Sequence, residues 1–409
     1  MSPRPFSRLI RWLPFALIPC AIVILLAAYT LLVTAYVSTP GKLEQADFLT
    51  FYSAGQVARQ SGFQQIYNLE LEAAAQARTA GVAPGTQQIL PPNHPPFLFP
   101  FLYILAGFDY RTAYIGYGLL LALLVAAGFP VLFRALRRNA WPTLQAWLAL
   151  AGVILFEPVF ISILKGQDSA LLLLGGLLWF SGLLLEDDRL AGLGLSLTLI
   201  RPQIAVLLAV PFLFRRRKVF EWFCLGTLVL GVYSFALVGW QGITEFLHLL
   251  TLSAGGEGYG MAEAAMFNFT GLVLRLAPAL GINLVHGLAW GLFAIAFAVL
   301  CIVWGVSKSS GLHQITLLVT VSLFVSPHLH YHDLALMIIP LLCLGLAAVK
   351  AGRLTVRVAA ALPLLASLVF LLGEFTDAVR FFFPYLLMIF LPALAWWLER
   401  RGETGYLPT

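Results

Sequence analysis

Charged residues are scarce in this sequence: they make up 11% of the 409 residues, whereas 60% are hydrophobic. Because soluble domains carry roughly a quarter of charged residues, a water-soluble fold of this size would have too little polar surface to cover its apolar residues. Apolar runs of about 20 residues, the length that crosses a hydrocarbon core roughly 30 Å thick, recur along the chain. The sequence therefore predicts an all-α polytopic membrane protein.

Cysteines and the short motifs of common enzyme classes are also few. The four cysteines lie within apolar runs and form no close pair, a pattern that favours neither a disulfide nor a metal site. The P-loop, the G-x-S-x-G elbow and the H-E-x-x-H motif do not occur. The missing P-loop argues against ATP-driven transport.

The basic residues indicate how the chain is oriented in the membrane. The formal net charge is +6, but the basic residues form short clusters between apolar runs, which argues against nucleic-acid binding. With a cytoplasmic N-terminus, seventeen of the 25 Lys and Arg residues lie inside and seven outside, a clear positive-inside bias. We therefore expect a multi-pass protein of the cell (inner or plasma) membrane with both termini cytoplasmic.

Ten apolar runs are predicted to be transmembrane helices of a single domain, residues 1-409. Their approximate bounds are 12-36, 112-133, 142-162, 169-185, 219-239, 283-306, 312-327, 334-349, 356-373 and 381-398. Two outer loops are long. Loop 38-110 is expected to hold short helices after Ser53 and from Asn68 and an interfacial helix over 96-110, and loop 240-282 a Gly-rich run and a short helix.

Residues 190-214 break this pattern. Charged clusters flank them on both sides, and Arg201-Pro202-Gln203 separates two apolar stretches of about 11 residues, each too short to span. A re-entrant hairpin that brings Arg201 and Gln203 into the bundle explains this arrangement. A single helix kinked at Pro202 is the alternative, and it would reverse the topology downstream.

Unusual polar residues collect on the predicted outer side. Ionisable groups at membrane depth cost several kcal/mol unless they are paired or hydrated, so they are functional candidates. The clusters are Asp47, Asn93-His94, Lys165-Gly166-Gln167-Asp168, Glu257 with Glu263, and His328 to Asp333, with Arg201 and Gln203 buried among them. Their convergence on one face predicts one polar cavity.

Two of these clusters have side chains suited to proton transfer or anion binding. Asp47 lies among aromatic residues and suits a general base, although a helix N-cap or a solvated loop acid is the alternative. His328, His330 and His332 alternate and precede Asp333. That pattern suits contact with a phosphate, a metal site or anchoring at the interface.

The remaining candidates have a functional and a structural interpretation. Arg201 offers a planar fork of donors for phosphate oxygens, or it pairs with a buried carboxylate such as Asp168. Lys165 binds the same anion or anchors a helix end. Gln167 is of a type that more often packs or caps, and His94 lies in a Pro-rich turn whatever its function.

Five short motifs follow one another between about residues 40 and 340. They are Asp47-x-x-x-x-Tyr52-x-Ala54-Gly55 with Gly62 and Ile66-Tyr67, His94-Pro95-Pro96, Gly166-Gln167, Arg201-Pro202-Gln203, and Ser326-Pro327-His328 to Tyr331-x-Asp333. In this order and placement they resemble glycosyltransferase family 87. The resemblance implies a GT-C fold and a mannosyltransferase that depends on polyprenol-phosphate-mannose.

The resemblance also implies partners and roles. Asp47 matches the catalytic base, the donor is a polyprenyl-phosphate sugar, and the acceptor is a hydroxyl of a lipid or glycan outside the cytoplasm, among membrane lipids. We expect the donor phosphate to be bound by Arg201, His332 and Lys165. The expected substrate contacts are Tyr52, His94, Gln167, Gln203, His328 and Asp333.

Two departures from the family pattern stand out. Lysine is typical before Pro-Gln, but this chain has Arg201, and His330 receives no carried-over role. No cofactor and no metal are expected, because cationic side chains can neutralise the departing phosphate.

Two other functions fit the same residues. A secondary transporter or lipid flippase would use Arg201 to line a substrate path, but transporters often carry two broken helices in related halves and only one interrupted segment is found here. A structural subunit of an envelope-assembly complex would tolerate changes at Asp47, Arg201 and His332.

Overall fold

The computed structural model describes residues 5-39, 41-82, 90-254, 263-307, 310-402 and 406-407. Glu257 and the Gly-rich run 255-260 lie outside the described residues. The helices are α1 (Pro5–Ser38), α2 (Phe48–Ser61), α3 (Leu69–Ala80), α4 (Phe99–Leu105), α5 (Tyr110–Ala127), α6 (Phe129–Arg138), α7 (Thr143–Ile154), α8 (Glu157–Lys165), α9 (Ser169–Leu185), α10 (Asp188–Leu197), α11 (Pro202–Ala209), α12 (Pro211–Phe214), α13 (Arg217–Ala254), α14 (Phe269–Leu276), α15 (Ile282–Val306), α16 (Leu312–Val325), α17 (Ile338–Lys350), α18 (Val356–Leu372) and α19 (Asp377–Gly402). Two short strands, β1 (Ser310–Gly311) and β2 (Tyr406–Leu407), pair antiparallel.

Each of the ten predicted spans is an apolar helix or a pair of consecutive helices. Six are long enough to cross a membrane: Ala16–Ser38, Tyr110–Arg138, Arg217–Leu252, Ile282–Val306, Tyr331–Lys350 and Asp377–Arg401. The pair α7 and α8 is a seventh, bent by 44°, and α9, α16 and α18 are shorter apolar helices. The chain is therefore an all-α polytopic membrane protein.

The segment Tyr331–Lys350, which ends in α17, lies at the centre of the bundle. Its most apolar part is 94% buried, whereas this fraction is 33% or less in the other five long spans. A short 3-10 helix, Tyr331–Met337, precedes α17. Polar residues in this 3-10 helix, at the N-terminal end of the segment, are therefore enclosed by protein and do not face lipid.

The segment from α10 to α12 folds back on itself. α10 runs close along α9, since a Cβ at Gly182 would lie 2.5 Å from the backbone nitrogen of Ala191. The two ends of the segment are joined by a hydrogen bond, in which the Nε of Arg216 donates to the Oδ1 of Asp188 at 2.9 Å. Because the ends meet, the segment is a hairpin with Arg201 between its arms, and a single kinked helix does not fit. Its re-entrant position in a bilayer stays a prediction.

The helices of loop 38-110 cover one end of the bundle. α2 begins at Phe48, earlier than the predicted start after Ser53, because the aromatic rings of Phe48 and Phe51 are fully buried. α3 begins where predicted, with the Asn68 side chain accepting from the backbone N–H groups of Glu70 and Leu71. This loop brings Asp47, directly before α2, against the bundle.

The helix α13 runs into the loop 240-282 and contacts the helices of loop 38-110. Its backbone is non-helical at Gly239, where φ is 65° and ψ is −171°, at the predicted end of the span 219-239. Beyond this break, the ring of Phe246 packs on Tyr67, with 5.2 Å between centroids. The part of α13 after the break therefore packs with the residues of loop 38-110 at this end of the bundle.

Glu72 of α3 is a fully buried carboxyl group. Burial raises the pKa of Glu72 well above its ordinary value of 4.5. Between that value and the folded-state pKa, the unfolded chain releases the proton while the folded chain keeps it. The free energy of unfolding therefore falls by about 1.4 kcal/mol per pH unit as the pH rises.

We expect Glu72→Gln to remove this loss, because an amide does not ionise. Thermal unfolding in detergent between pH 4 and pH 8 should show the variant gaining stability relative to wild type as the pH rises. Glu70→Gln, at an exposed position of the same helix, is the control. The difference in stability between this variant and the wild type should stay the same across the pH range. Parallel pH curves for Glu72→Gln and wild type would contradict the expectation.

Candidate active site

Arg201, in the bend of the hairpin, is held between two carboxylates. Its Nη2 lies 3.0 Å from the Oδ1 of Asp168, and its Nε donates to the Oδ1 of Asp333 at 3.1 Å. These three side chains are at most 9% exposed. The two carboxylates compensate the guanidinium charge and occupy both edges of its fork.

His94 extends this network from the turn before α4. Its Nδ1 lies 2.7 Å from the Oδ2 of Asp168. Its carbonyl accepts the hydroxyl of Tyr67 at 2.7 Å, and its ring packs on Phe51 with 4.5 Å between centroids. The backbone and ring are both fixed, and the contact with Asp168 leaves Nε2 as the nitrogen that faces other partners.

Asp333 connects the network to the three histidines. Its Oδ1 accepts the hydroxyl of Ser169 at 2.7 Å, and its Oδ2 accepts the backbone N–H of His330 at 3.3 Å. The ring of His330 lies 4.5 Å from that of His328 and 5.6 Å from that of His332, between centroids. Asp333 thus holds the turn on which the histidines stand.

Asp47 is the one carboxylate of this region without such partners among the described residues. It is half-buried directly before α2 and makes no side-chain capping hydrogen bond. It is close enough for its charge to act on His330 and His332. Phe51, which packs on His94, follows Asp47 by one helical turn of α2.

Burial sets the charge of several groups at this site. Burial lowers the pKa of His328 well below its ordinary value and also lowers that of His330. Both rings are therefore neutral at pH 7. Burial alone would raise the pKa of Asp168, but Arg201 and His94 outweigh it and lower the pKa, so this carboxylate is ionised.

Four further predicted residues are placed less centrally. The amide of Gln203 donates to the carbonyl of His328 at 3.2 Å. Lys165 is exposed at the end of α8, within electrostatic reach of His330. The Oε1 of Gln167 is buried and has no hydrogen-bond partner within the described part of the chain. The hydroxyl of Tyr52 donates to the carbonyl of Phe108 at 2.8 Å, which indicates a packing role.

No group of three or more His, Cys, Asp or Glu side chains is arranged to hold a metal ion within the part of the chain that the structure describes. The rings of the three histidines are in close contact with one another. Asp333, the carboxylate of the same turn, is already bound to Arg201 and Ser169.

The family model of glycosyltransferase family 87 matches residues 93-327, more than half of the chain. This range contains His94, Lys165, Asp168, Arg201 and Gln203. The chain belongs to glycosyltransferase family 87. It is a membrane glycosyltransferase, and the transporter and subunit interpretations are set aside. No curated protein matches the chain.

The match to family 87 leaves out part of the site. Asp47, His332 and Asp333 lie outside the matched range, so their roles rest on the geometry and on the motifs. Three residues within the matched range form the ion network: His94 and Arg201 both contact Asp168.

Several residues of this family 87 enzyme carry no motif signal. Ser169 binds Asp333, and only its position next to Asp168 hints at this role. Glu157 is fully buried at the start of α8 and accepts the hydroxyl of Tyr331. The partners in these contacts are 164 and 174 residues apart in the chain, which no local pattern reveals.

Gly166 lets the α8–α9 junction approach the start of α2. Its φ is +67°, and a Cβ at this position would lie 2.6 Å from the Cβ of Phe48. We expect Gly166→Ala to lower stability by more than the roughly 1-2 kcal/mol cost of a left-handed backbone, because the added methyl group also meets Phe48.

Gly352→Ala is a matched control for Gly166→Ala, because Gly352 has a φ of +65° and open space around its Cβ position. Thermal unfolding in detergent should show a clearly larger loss for Gly166→Ala, together with weaker glycosyl transfer, since Phe48 directly follows Asp47. Equal losses at the two positions would show that the contact with Phe48 is unimportant.

Proposed function

We propose that this glycosyltransferase moves mannose from a polyprenyl-phosphate donor to a hydroxyl of a lipid or glycan acceptor at the extracytoplasmic membrane surface, with Asp47 as the general base. The observation that carries the proposal is the state of Asp47. It is half-buried beside the histidines and has no side-chain hydrogen bond among the described residues, whereas Asp168 and Asp333 are held by Arg201. A carboxylate that is not already bound can accept a proton.

The chemistry follows from these positions. Asp47 takes the proton of the acceptor hydroxyl while the hydroxyl oxygen attacks the anomeric carbon of the donor sugar. The bond from that carbon to the phosphate oxygen breaks, and its electron pair leaves with the polyprenyl phosphate. Attack opposite the leaving group inverts the anomeric configuration.

The proposed reaction requires side chains near Asp47 that bind the donor phosphate. We assign it to Lys165, which is exposed and within electrostatic reach of His330, and to His332. His328 and His330 are neutral and supply hydrogen bonds to the substrate. The sequence predicts that Arg201 binds the phosphate or pairs with a buried carboxylate, and its contacts with Asp168 and Asp333 favour the pair.

A panel of donors tests this function. The full-length protein in lipid nanodiscs would receive radiolabelled polyprenyl-phosphate mannose, polyprenyl-phosphate glucose or GDP-mannose, together with a membrane lipid and glycan extract and EDTA. We expect label to move from the lipid donors only, with mannose preferred. Transfer from GDP-mannose alone would contradict the donor class, and undiminished transfer by Asp47→Ala would contradict the base.

A further inference from the structure

The charge of the donor phosphate changes during the proposed reaction. The phosphate of a polyprenyl-phosphate sugar is a singly charged diester, and the phosphate that leaves is a monoester with a second negative charge. A hydrogen-bond donor that points at the oxygen where this charge develops stabilises the transition state more than it stabilises the bound lipid-linked sugar. On the basis of the proposed function, we expect one side chain near Asp47 to donate this hydrogen bond.

The cationic groups near Asp47 are mostly committed elsewhere. Arg201 is compensated by Asp168 and Asp333 at 3.0 and 3.1 Å. His328 and His330 are neutral, because burial lowers the pKa of each. Lys165 is exposed, and its ammonium group can follow the phosphate in the bound donor and in the product alike. His332, the other group assigned to the phosphate, has its Nε2 3.9 Å from the Oδ2 of Asp333.

His94 differs from these groups because it is held in one orientation. Its Nδ1 lies 2.7 Å from the ionised carboxylate of Asp168, its ring packs on Phe51, and its carbonyl is held by Tyr67. The carboxylates of Asp168 and Asp333 face a single cation, Arg201, whose Nη1 also lies 3.4 Å from this Nδ1. A second positive charge on the ring of His94 would balance this cluster and would put a proton on Nε2. Phe51 follows Asp47 by one helical turn, so His94 packs on the face of α2 on which the proposed base lies.

We propose that His94 donates a hydrogen bond from Nε2 to the leaving phosphate oxygen, and that Asp168 is the positioning residue that orients and charges its ring. The electron pair of the broken bond stays on that oxygen, the acceptor proton goes to Asp47, and the imidazolium keeps its own proton. The sequence predicts His94 only as a substrate contact, whereas this proposal makes it the group that stabilises the negative charge on the leaving phosphate.

Binding of the leaving lipid tests this role without the need for turnover. The protein in nanodiscs would be titrated with a polyprenyl phosphate and with the polyprenol of the same chain length. We expect the wild type to bind the phosphate more tightly. In His94→Gln, binding of the phosphate should weaken about tenfold or more, since a charge-assisted hydrogen bond is lost, while binding of the alcohol stays unchanged.

Two further variants make the result specific. His248→Gln, at an exposed histidine of α13, should bind both lipids as the wild type does. Asp168→Asn should lower the preference for the phosphate while it leaves binding of the alcohol intact, which a purely structural role would not do. His94→Gly should regain the preference for the phosphate when free imidazole is added.

The outcomes separate the two proposals. A wild type that prefers the phosphate and a His94→Gln protein that prefers it equally would overturn the role of His94 and leave the proposed function standing. Loss of alcohol binding in both His94 variants would assign His94 to folding and also overturn its role. A wild type that binds the phosphate no better than the alcohol would contradict the proposed function itself.

Discussion

Asp47→Asn is expected to lower the turnover number for glycosyl transfer by about 100-fold or more, because a positioned general base contributes roughly 10²- to 10⁴-fold. The amide has nearly the same size as the carboxylate but cannot take the proton of the acceptor hydroxyl. The unfolding temperature should change little, since Asp47 makes no side-chain capping hydrogen bond. Steady-state transfer with a labelled lipid donor measures the effect.

Asp377→Asn is the matched control for this experiment. Asp377 lies exposed in the first turn of α19, so removal of its charge should leave transfer unchanged. Asp47→Glu keeps the carboxylate but moves it by one methylene group, and it should fall between the wild type and Asp47→Asn. Transfer by Asp47→Asn at the wild-type rate would exclude Asp47 as the base.

Arg201→Met is expected to prevent accumulation of folded protein. It would leave Asp168 and Asp333 buried at 1% and 0% exposure without their shared cation. Removal of one partner from a buried ion pair costs about 3-5 kcal/mol. The yield of monodisperse protein and its unfolding temperature in detergent measure this loss.

Neutralisation of both acids in the Arg201→Met background should recover part of the lost stability. The triple variant with Asp168→Asn and Asp333→Asn removes the stranded charges, and it should be more stable than Arg201→Met alone. Arg111→Met, at an exposed arginine, serves as the control. If Arg201 acted only on the donor phosphate, Arg201→Met would fold normally and lose transfer alone.

The bundle could be predicted from the sequence because membrane spans are long and continuous. The bounds of α9 coincide with the predicted span 169-185, and α15 differs from the predicted span 283-306 by one residue. The sequence predicts a helix only after Ser53, whereas α2 begins at Phe48, since the burial of Phe48 and Phe51 depends on helices distant in the chain. Local propensity contains no information about those contacts.

The members of the site could be predicted better than their roles. The sequence marks His94, Asp168, Arg201 and Asp333 as unusual polar residues, and it allows Arg201 either to pair with Asp168 or to bind phosphate. The bond from Arg201 to Asp333 joins residues 132 positions apart, and the hydroxyl of Ser169 completes it. Only the packed structure shows that the guanidinium fork is already occupied.

The order of the Arg201 contacts along the chain has a consequence for biosynthesis. Asp168 is synthesised before Arg201, whereas Asp333 follows 132 residues later. A nascent chain that has formed the hairpin therefore carries the arginine with one carboxylate until Asp333, which follows α16, has left the ribosome. Because chains fold from the N-terminus during synthesis, ribosome-bound intermediates should hold the hairpin loosely, and arrival of Asp333 would be the step that locks it.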